Sequence, residues 1–108
     1  MEKGGFAVYV VHSTFSVRDN QAEEVISIYQ NRSRLVDKAE GFQYFLLLQN
    51  DKKPGELTVQ LAFESKSSYL AWVRSEEFKK IHELEKNYPD KELSAVIPTV
   101  RQFQVVAT

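Results

Sequence analysis

The residues of this chain best suited to chemistry are one tryptophan and one histidine, Trp72 and His82, which stand ten positions apart in a stretch with helical spacing. An imidazole can bind a metal or transfer a proton, and an indole can form one wall of a pocket. In a straight helix, ten residues span about 15 Å and the two side chains differ by roughly 80° around the axis. They can face one ligand only if the helix is interrupted. The run Ser75-Glu76-Glu77 is typical of a new helix start and predicts such an interruption.

Structural roles for the same residues stay open. Trp72 follows Tyr69 at helical spacing, so both fit the apolar side of a helix that packs on a core. His82 comes one turn after Phe78 and fits the edge of an amphipathic helix. The other histidine, His12, stands in an apolar strand-like run, where a structural role is the simpler interpretation.

Composition excludes several kinds of site. The chain has 108 residues, no cysteine and two histidines, which excludes disulfides, thiolate catalysis and a metal site made of many histidines. Lys and Arg number 14 against 15 Asp and Glu, which argues against nucleic-acid binding. No glycine-rich phosphate loop is present. The apolar run near the start, Phe6 to Val11, is too short for a secretion signal or a membrane span, so we expect a cytoplasmic protein without a membrane partner.

The elements that must position these residues follow the order βαββαβ. Alternating or continuous apolar residues predict strands over 6–17, 42–49, 56–64 and 95–106. Helical spacing follows the caps Asp19 and Asn20, from Ala22 through Ser33 to Val36, and again from the cap Ser65 until Asn87 and Pro89. With one hairpin and two crossovers, this order predicts an α+β, ferredoxin-like fold: one antiparallel sheet with its helices on one face. No linker divides the chain, so residues 1–108 are expected to form a single domain.

The face of the sheet without helices should be polar in a monomer, but the second strand is apolar on both sides. Phe42, Tyr44, Leu46 and Leu48 lie on one side, and Phe45 and Leu47 on the other. A two-fold homodimer that buries two such faces against each other is the simplest way to cover them. The sequence does not decide which of the two sets faces the partner.

The run from Trp72 to Phe78 followed by His82, together with Ala62–Lys66 and Glu40–Phe42, resembles the antibiotic biosynthesis monooxygenase domain. Members of that family are dimeric α+β barrels, and the chain is most similar to the IsdG-type haem-degrading oxygenases. The resemblance covers nearly the whole chain, and its most specific element is the spacing between the tryptophan and the histidine. It implies two ferredoxin-like subunits paired sheet to sheet.

The resemblance also implies roles for single residues. His82 would be the axial ligand of haem iron, Trp72 would press on the haem and distort it, and Phe78 would line the same cofactor pocket. Ser13 stands where the subfamily has an asparagine that hydrogen-bonds the reacting oxygen. If the first strand is aligned differently, the adjacent His12 or Thr14 takes that position. Haem would be both cofactor and substrate, its iron would be released, and electrons would come from an external reductase.

Two further functions remain open at this point. One is a cofactor-free monooxygenase that acts on a small aromatic or quinone-like substrate in the same cleft between helices and sheet, with the substrate itself supplying the electrons. The other is a non-enzymatic dimeric binding protein, in which Trp72 and His82 are structural.

Overall fold

The computed structural model describes residues 8–85 and 97–108, and the side chains of residues 82–85 lie outside that description. These ranges contain four strands and three α-helices, in the order β1, α1, β2, β3, α2, α3 and β4. The strands are β1 (Tyr9–Ser16), β2 (Phe42–Gln49), β3 (Glu56–Phe63) and β4 (Thr99–Gln104). The helices are α1 (Ala22–Gln30), α2 (Lys66–Val73) and α3 (Glu76–Glu85). Short 3-10 turns, Asp19–Gln21 and Val36–Lys38, lie on either side of α1.

The four strands form a sheet in the order β2-β3-β1-β4, and every neighbouring pair is antiparallel. Strand β3 lies between β1 and β2, and β1 lies between β3 and β4, so each helical connection passes over one strand. This is the ferredoxin-like arrangement that the sequence predicts. The second helical connection is divided into α2 and α3.

Both sheet faces can be assigned from side-chain contacts. Tyr29 of α1 stacks against Phe15, and Tyr69 of α2 lies against Tyr9 and Phe63 at ring distances of 5.6 and 5.7 Å. Because side chains alternate along a strand, these contacts place α1 and α2 on the same side of the sheet. We call the side that carries Tyr9, Phe15 and Phe63 the helix-covered face.

The opposite side is the open face, and much of it is apolar and accessible. Its largest exposed side chains are Tyr44, Leu46 and Leu48 of β2 and Phe103 of β4. Phe45 and Leu47 point to the helix-covered face, where Phe45 packs against the core. Of the two sides of β2, the helices therefore leave uncovered the one that carries Tyr44, Leu46 and Leu48. Phe42, expected on that side, instead packs against the core, because the pairing of β2 with β3 shifts between Phe42 and Tyr44.

One end of the helix-covered layer is held by an apolar cluster around three buried residues, Val36, Phe63 and Trp72. These residues come from the second 3-10 turn, from β3 and from α2. Phe78 and Ile81 of α3 pack against them. The cluster therefore joins all the elements that carry the candidate residues of the second helical segment.

The first helix is shorter than the sequence predicts. Helical spacing continues to Val36, but α1 ends at Gln30, and Val36 is buried from the following 3-10 turn. Ser33, also expected in the helix, lies in the loop between them. Arg34, whose φ of 62° is left-handed, prevents the right-handed helix from extending as far as Val36.

The predicted ends of three strands also differ from the structure. The first strand begins at Tyr9 and ends at Ser16, the third ends at Phe63, and the fourth covers Thr99–Gln104. Residues 6, 7, 95 and 96 of the expected strands lie outside the described residues, as does the helix stop expected at Asn87 and Pro89. The hairpin loop expected over residues 50–55 is present between β2 and β3.

Gly41 is the point at which the chain turns into β2. Its φ is 83°, and a Cβ atom at this position would collide with the side chain of Ser68 on α2. Its carbonyl accepts a hydrogen bond from the Glu64 amide at 2.7 Å. The start of β2 is thus held directly against the start of α2, an approach that only glycine permits.

Candidate functional site

The interruption expected at Ser75 is present between α2 and α3. The Ser75 hydroxyl accepts a hydrogen bond from the Phe78 amide at 3.1 Å, as an N-cap does, and donates one to the Trp72 carbonyl at 2.6 Å. One side chain therefore ends α2 and begins α3. Helices α2 and α3 are two separate helices. The distance and angle between side chains of one continuous helix therefore do not apply between Trp72 and the residues of α3.

Trp72 is buried, with 6% of its surface exposed. The edge of one ring meets the face of the other where Trp72 contacts Phe78, with ring centroids 5.7 Å apart and an interplanar angle of 85°. In this conformation the indole is part of the apolar cluster.

The main chain of His82 lies in α3, and its side chain lies outside the described residues. Positions four apart on a helix share a side, so position 82 follows position 78 by one turn on the same side of α3. Phe78 and Ile81, the two described residues of α3 that pack on the cluster, precede it directly. His82 therefore occupies the next turn of the helix that covers Trp72.

Ser13 lies in the middle of β1 on the helix-covered face, where it is half-buried. Its neighbours across the sheet are Val59 of β3 and Val100 of β4. Along the same side of β1 its neighbours are Val11 and Phe15. The hydroxyl is thus surrounded by apolar side chains in all four directions along the sheet.

His12 and Thr14, the alternatives to Ser13, lie on the open face. The His12 Nε2 atom is 2.8 Å from the Gln60 Oε1 atom, and the Thr14 and Thr58 hydroxyls are 2.9 Å apart. Of these three consecutive residues, Ser13 is the one that faces the helices.

A polar group that the sequence did not indicate lies on the helix-covered face between α2 and the edge strand β4. The Tyr9 hydroxyl donates a hydrogen bond to the Gln102 Oε1 atom at 3.2 Å, and Tyr69 is also hydrogen-bonded to the Gln102 side chain. The two tyrosine rings are 5.6 Å apart. The only sequence signal is that Tyr69 precedes Trp72 by one helical turn; nothing in the sequence relates Gln102 to either tyrosine.

Burial raises the pKa of the Tyr69 phenol above its usual value of 10.0, and the hydrogen bond with Gln102 opposes that shift. The nearby Tyr9 raises the pKa of Tyr69 further. The Tyr69 phenol is therefore neutral near pH 7. A neutral phenol can donate a hydrogen bond to a carbonyl or an anionic oxygen of a ligand.

Two negative findings limit other sites. Over residues 8–85 and 97–108, no three His, Cys, Asp or Glu side chains come together as a metal site would require. None of the helices described here has the length and apolar composition needed to cross a bilayer.

Known structures with this fold include proteins of different activities. The chain is similar to the haem degrader MhuD from Mycobacterium tuberculosis, solved with two haems in its active site, at 19% identity and a TM-score of 0.70, over 94% of this chain and 97% of MhuD. SnoaB, a cofactor-independent oxygenase from Streptomyces nogalater, is 12% identical with a TM-score of 0.72, over 94% and 96% of the two chains. A conserved protein from Methanosarcina mazei is 18% identical with a TM-score of 0.69, over 94% and 95%.

No curated protein sequence matches the chain. The structural similarities, all below 25% identity, establish the fold. The family is established separately, because the sequence profile named antibiotic biosynthesis monooxygenase matches residues 8–84. That match includes β1, the three helices and the hairpin of β2 and β3. The chain therefore belongs to the antibiotic biosynthesis monooxygenase family.

Proposed function

We propose that this monooxygenase-family chain binds haem between its helices and its sheet and degrades it, releasing iron. His82 binds the iron, Trp72 and Phe78 form the aromatic wall of the pocket, and Ser13 is the polar contact from β1. The observation that supports this proposal is the break at Ser75. Because of this break, Trp72 and His82 lie on different helices and can face the same ligand.

The residues of α2 and α3 have the chemistry that a porphyrin needs. The rings of Trp72 and Phe78, with Ile81 beside them, form an apolar and aromatic surface next to the turn that carries His82. When bound, haem supplies an iron that activates dioxygen, while its ring is the substrate that is opened. Because Trp72 is 6% exposed and Phe78 contacts its ring, haem binding would require this contact to open, and the break at Ser75 would be the hinge.

The residues of the chain itself would bind the haem and orient it. The imidazole of His82 would bind the iron, and the indole of Trp72 would exclude water and press on the ring. The Ser13 hydroxyl donates a hydrogen bond from the sheet. Electrons come from an external reductase or a chemical reductant.

Haemin titration tests this proposal. We expect a Soret band that shifts and saturates at one haem per chain, with concurrent quenching of Trp72 fluorescence. His82→Ala should abolish the saturable band. His12→Ala is the matched control, since it removes the other histidine from the opposite face of the sheet and should keep the band. No Soret shift in the wild type, or equal binding by His82→Ala, would overturn the assignment.

We also propose that the open face pairs with the open face of a second copy. Tyr44, Leu46, Leu48 and Phe103 are 37 to 46% exposed on it, an apolar surface that is costly to leave in water. The contact would form the two-sheet barrel of a homodimer. The helix-covered face, with Ser13 and Trp72, stays outside this contact.

A second function is favoured by the two tyrosines that share Gln102. A neutral phenol close to neutral hydroxyl and amide groups suits an aromatic carbonyl substrate, and it needs no metal. In that reaction an activated methylene takes one oxygen atom of O2, the other leaves as water, and the substrate supplies all the electrons. Oxygen uptake with anthrone as probe, without haem, distinguishes it: uptake that is lost in Tyr69→Phe and kept in His82→Ala supports this alternative. If the chain neither binds haem nor takes up oxygen with anthrone, the results would indicate the non-enzymatic binding protein.

A further inference from the structure

A second cleft, of about 420 Å³, lies between α1 and β2. Its walls include Ile26 and Tyr29 of α1 and Phe45 and Leu47 of β2, and Arg32 and Arg34 line it as well. Its size and its mixture of apolar walls with a few polar groups match those of small-molecule sites. None of the residues assigned above to haem binding lines it.

The charges of this cleft come from three side chains in one loop. Arg32 makes two hydrogen bonds with the carboxylate of Asp37, at 2.9 and 3.4 Å, and Arg34 reaches the same carboxylate at 3.4 Å. Two guanidinium groups therefore share one carboxylate, which leaves one positive charge in excess among the side chains that the structure describes here. A guanidinium has five N–H donors, so Asp37 leaves most of the donors of this pair unused.

Arg32 is held rigidly beside the apolar wall. Its guanidinium carbon lies 3.9 Å from the centre of the Phe45 ring, a cation–π contact, and its side chain is only 16% exposed. The side chain of Arg34 is 65% exposed. One arginine is thus fixed within the cleft, and the other can close over a bound anion.

Arg34 takes the left-handed conformation at φ 62°. That conformation costs about 1 kcal/mol for a residue with a Cβ atom, and glycine would adopt it without this cost. The Arg34 side chain, which contacts Asp37 at the cleft, is the feature that a glycine would lose.

We propose that this cleft binds a carboxylate carried on a flat aromatic body, with the ring against the apolar wall that includes Ile26 and Leu47 and the carboxylate on Arg34 and Arg32. Planar, two-oxygen anions match the fork of a guanidinium. Two sources have this chemistry: a small aromatic acid, or the carboxylate edge of a larger macrocycle such as haem. The inference stands independently of haem binding through His82.

Calorimetric titration with naphthoate is the direct test, with naphthalenemethanol as the probe that keeps the rings and lacks the charge. We expect naphthoate to bind one site per chain about 10-fold more tightly or better than the alcohol, since charge-assisted hydrogen bonds carry the difference. The difference should shrink as salt is added.

Two substitutions of Arg34 separate binding from folding. Arg34→Gln should weaken naphthoate binding by about 10-fold. Arg34→Gly should lose binding equally while raising the urea midpoint, because it removes the conformational cost at φ 62°. Arg74→Gln is the matched control: Arg74 is an exposed arginine at the end of α2, and binding should be unchanged.

The same titration in His82→Ala keeps this inference separate from the haem proposal, because naphthoate should still bind. Haemin as competitor distinguishes the two sources: displacement of naphthoate identifies the carboxylates of haem as the occupant, and independent binding identifies a small aromatic acid. Absence of naphthoate binding, or binding that Arg34→Gln and Arg34→Gly leave unchanged, overturns the proposal.

Discussion

Trp72 and Phe78 contact each other edge to face across a helix break, and the same two residues are linked through the Ser75 hydroxyl by their backbones. The ring contact fixes how α3 folds back on α2, and the hydroxyl fixes where each helix ends. A position six residues from the tryptophan thereby becomes its closest aromatic partner on α3. The orientation of α3, the helix that contains His82, depends on this pair.

Ser75→Ala should destabilise the fold by about 1 kcal/mol, because it removes the cap at the start of α3. Urea denaturation monitored by Trp72 fluorescence measures this loss. Ser67→Ala is the control, since Ser67 is an exposed serine on α2. Equal stability of Ser75→Ala and the wild type would mean that the ring contact alone holds the break.

Ser13→Asn should increase haem turnover if the haem proposal holds. Serine is shorter than asparagine, so its hydroxyl reaches less far from β1, and loss of one well-placed donor in other enzymes costs on the order of 10²–10³ in rate. The assay follows loss of the Soret band under ascorbate with catalase present. His12→Asn adds the same side chain one residue away on the open face and should leave turnover unchanged.

Wild-type turnover equal to that of Ser13→Asn would show that the serine is sufficient, or that the donor comes from elsewhere. Trp72→Phe in the same assay measures the contribution of the indole. It should lower turnover more than haem affinity, because a smaller ring distorts the haem less.

Leu46→Lys should convert the proposed dimer into a monomer. Each substitution counts twice in a two-fold contact, so the loss of two buried leucines costs about 3 kcal/mol or more and weakens association about 100-fold. Sedimentation velocity at micromolar concentration measures it. Gln49→Lys adds the same charge to β2 outside the open face and should stay dimeric. A monomeric wild type would contradict the pairing of open faces.

The stability of the fold should fall at alkaline pH through Tyr69. The folded state raises the pKa of this phenol above 10.0, so the folded chain holds its proton where the unfolded chain releases it. That contribution to the unfolding free energy is complete below about pH 10 and is lost as pH rises through the folded-state pKa. Urea titrations at about pH 8 and about pH 11 should give a smaller difference for Tyr69→Phe than for the wild type.

The wild type, measured at the same two pH values, is the reference for Tyr69→Phe. An identical loss in Tyr69→Phe would mean that other groups cause the alkaline destabilisation.

The sequence predicts those parts of the fold in which a local pattern of residue types determines the secondary structure. The alternation of Leu57, Val59, Leu61 and Phe63 predicts β3 to within one residue, and the Ser-Glu-Glu run at Ser75 predicts the break between α2 and α3. The end of α1 could not be predicted, because Val36 keeps the helical spacing. The left-handed conformation of Arg34 has no signal in the residue types around it.

The candidate site was only partly predictable, for a different reason. Trp72, Phe78 and His82 are close in sequence, so one motif carries them. Tyr9 and Gln102 are 93 positions apart and meet only because β4 pairs with β1 in one particular register. Contacts that depend on strand pairing cannot be read from spacing along the chain.

Strand β2 reads FQYFLLLQ, eight residues without a charge, a glycine or a proline, and it forms one edge of the sheet. Such a segment is suited to pairing with further strands and to building fibrils. Self-association through the open face would cover its leucines. For this chain, the monomer is therefore the form suited to fibril formation, and the proposed dimer lowers its concentration at any given total concentration.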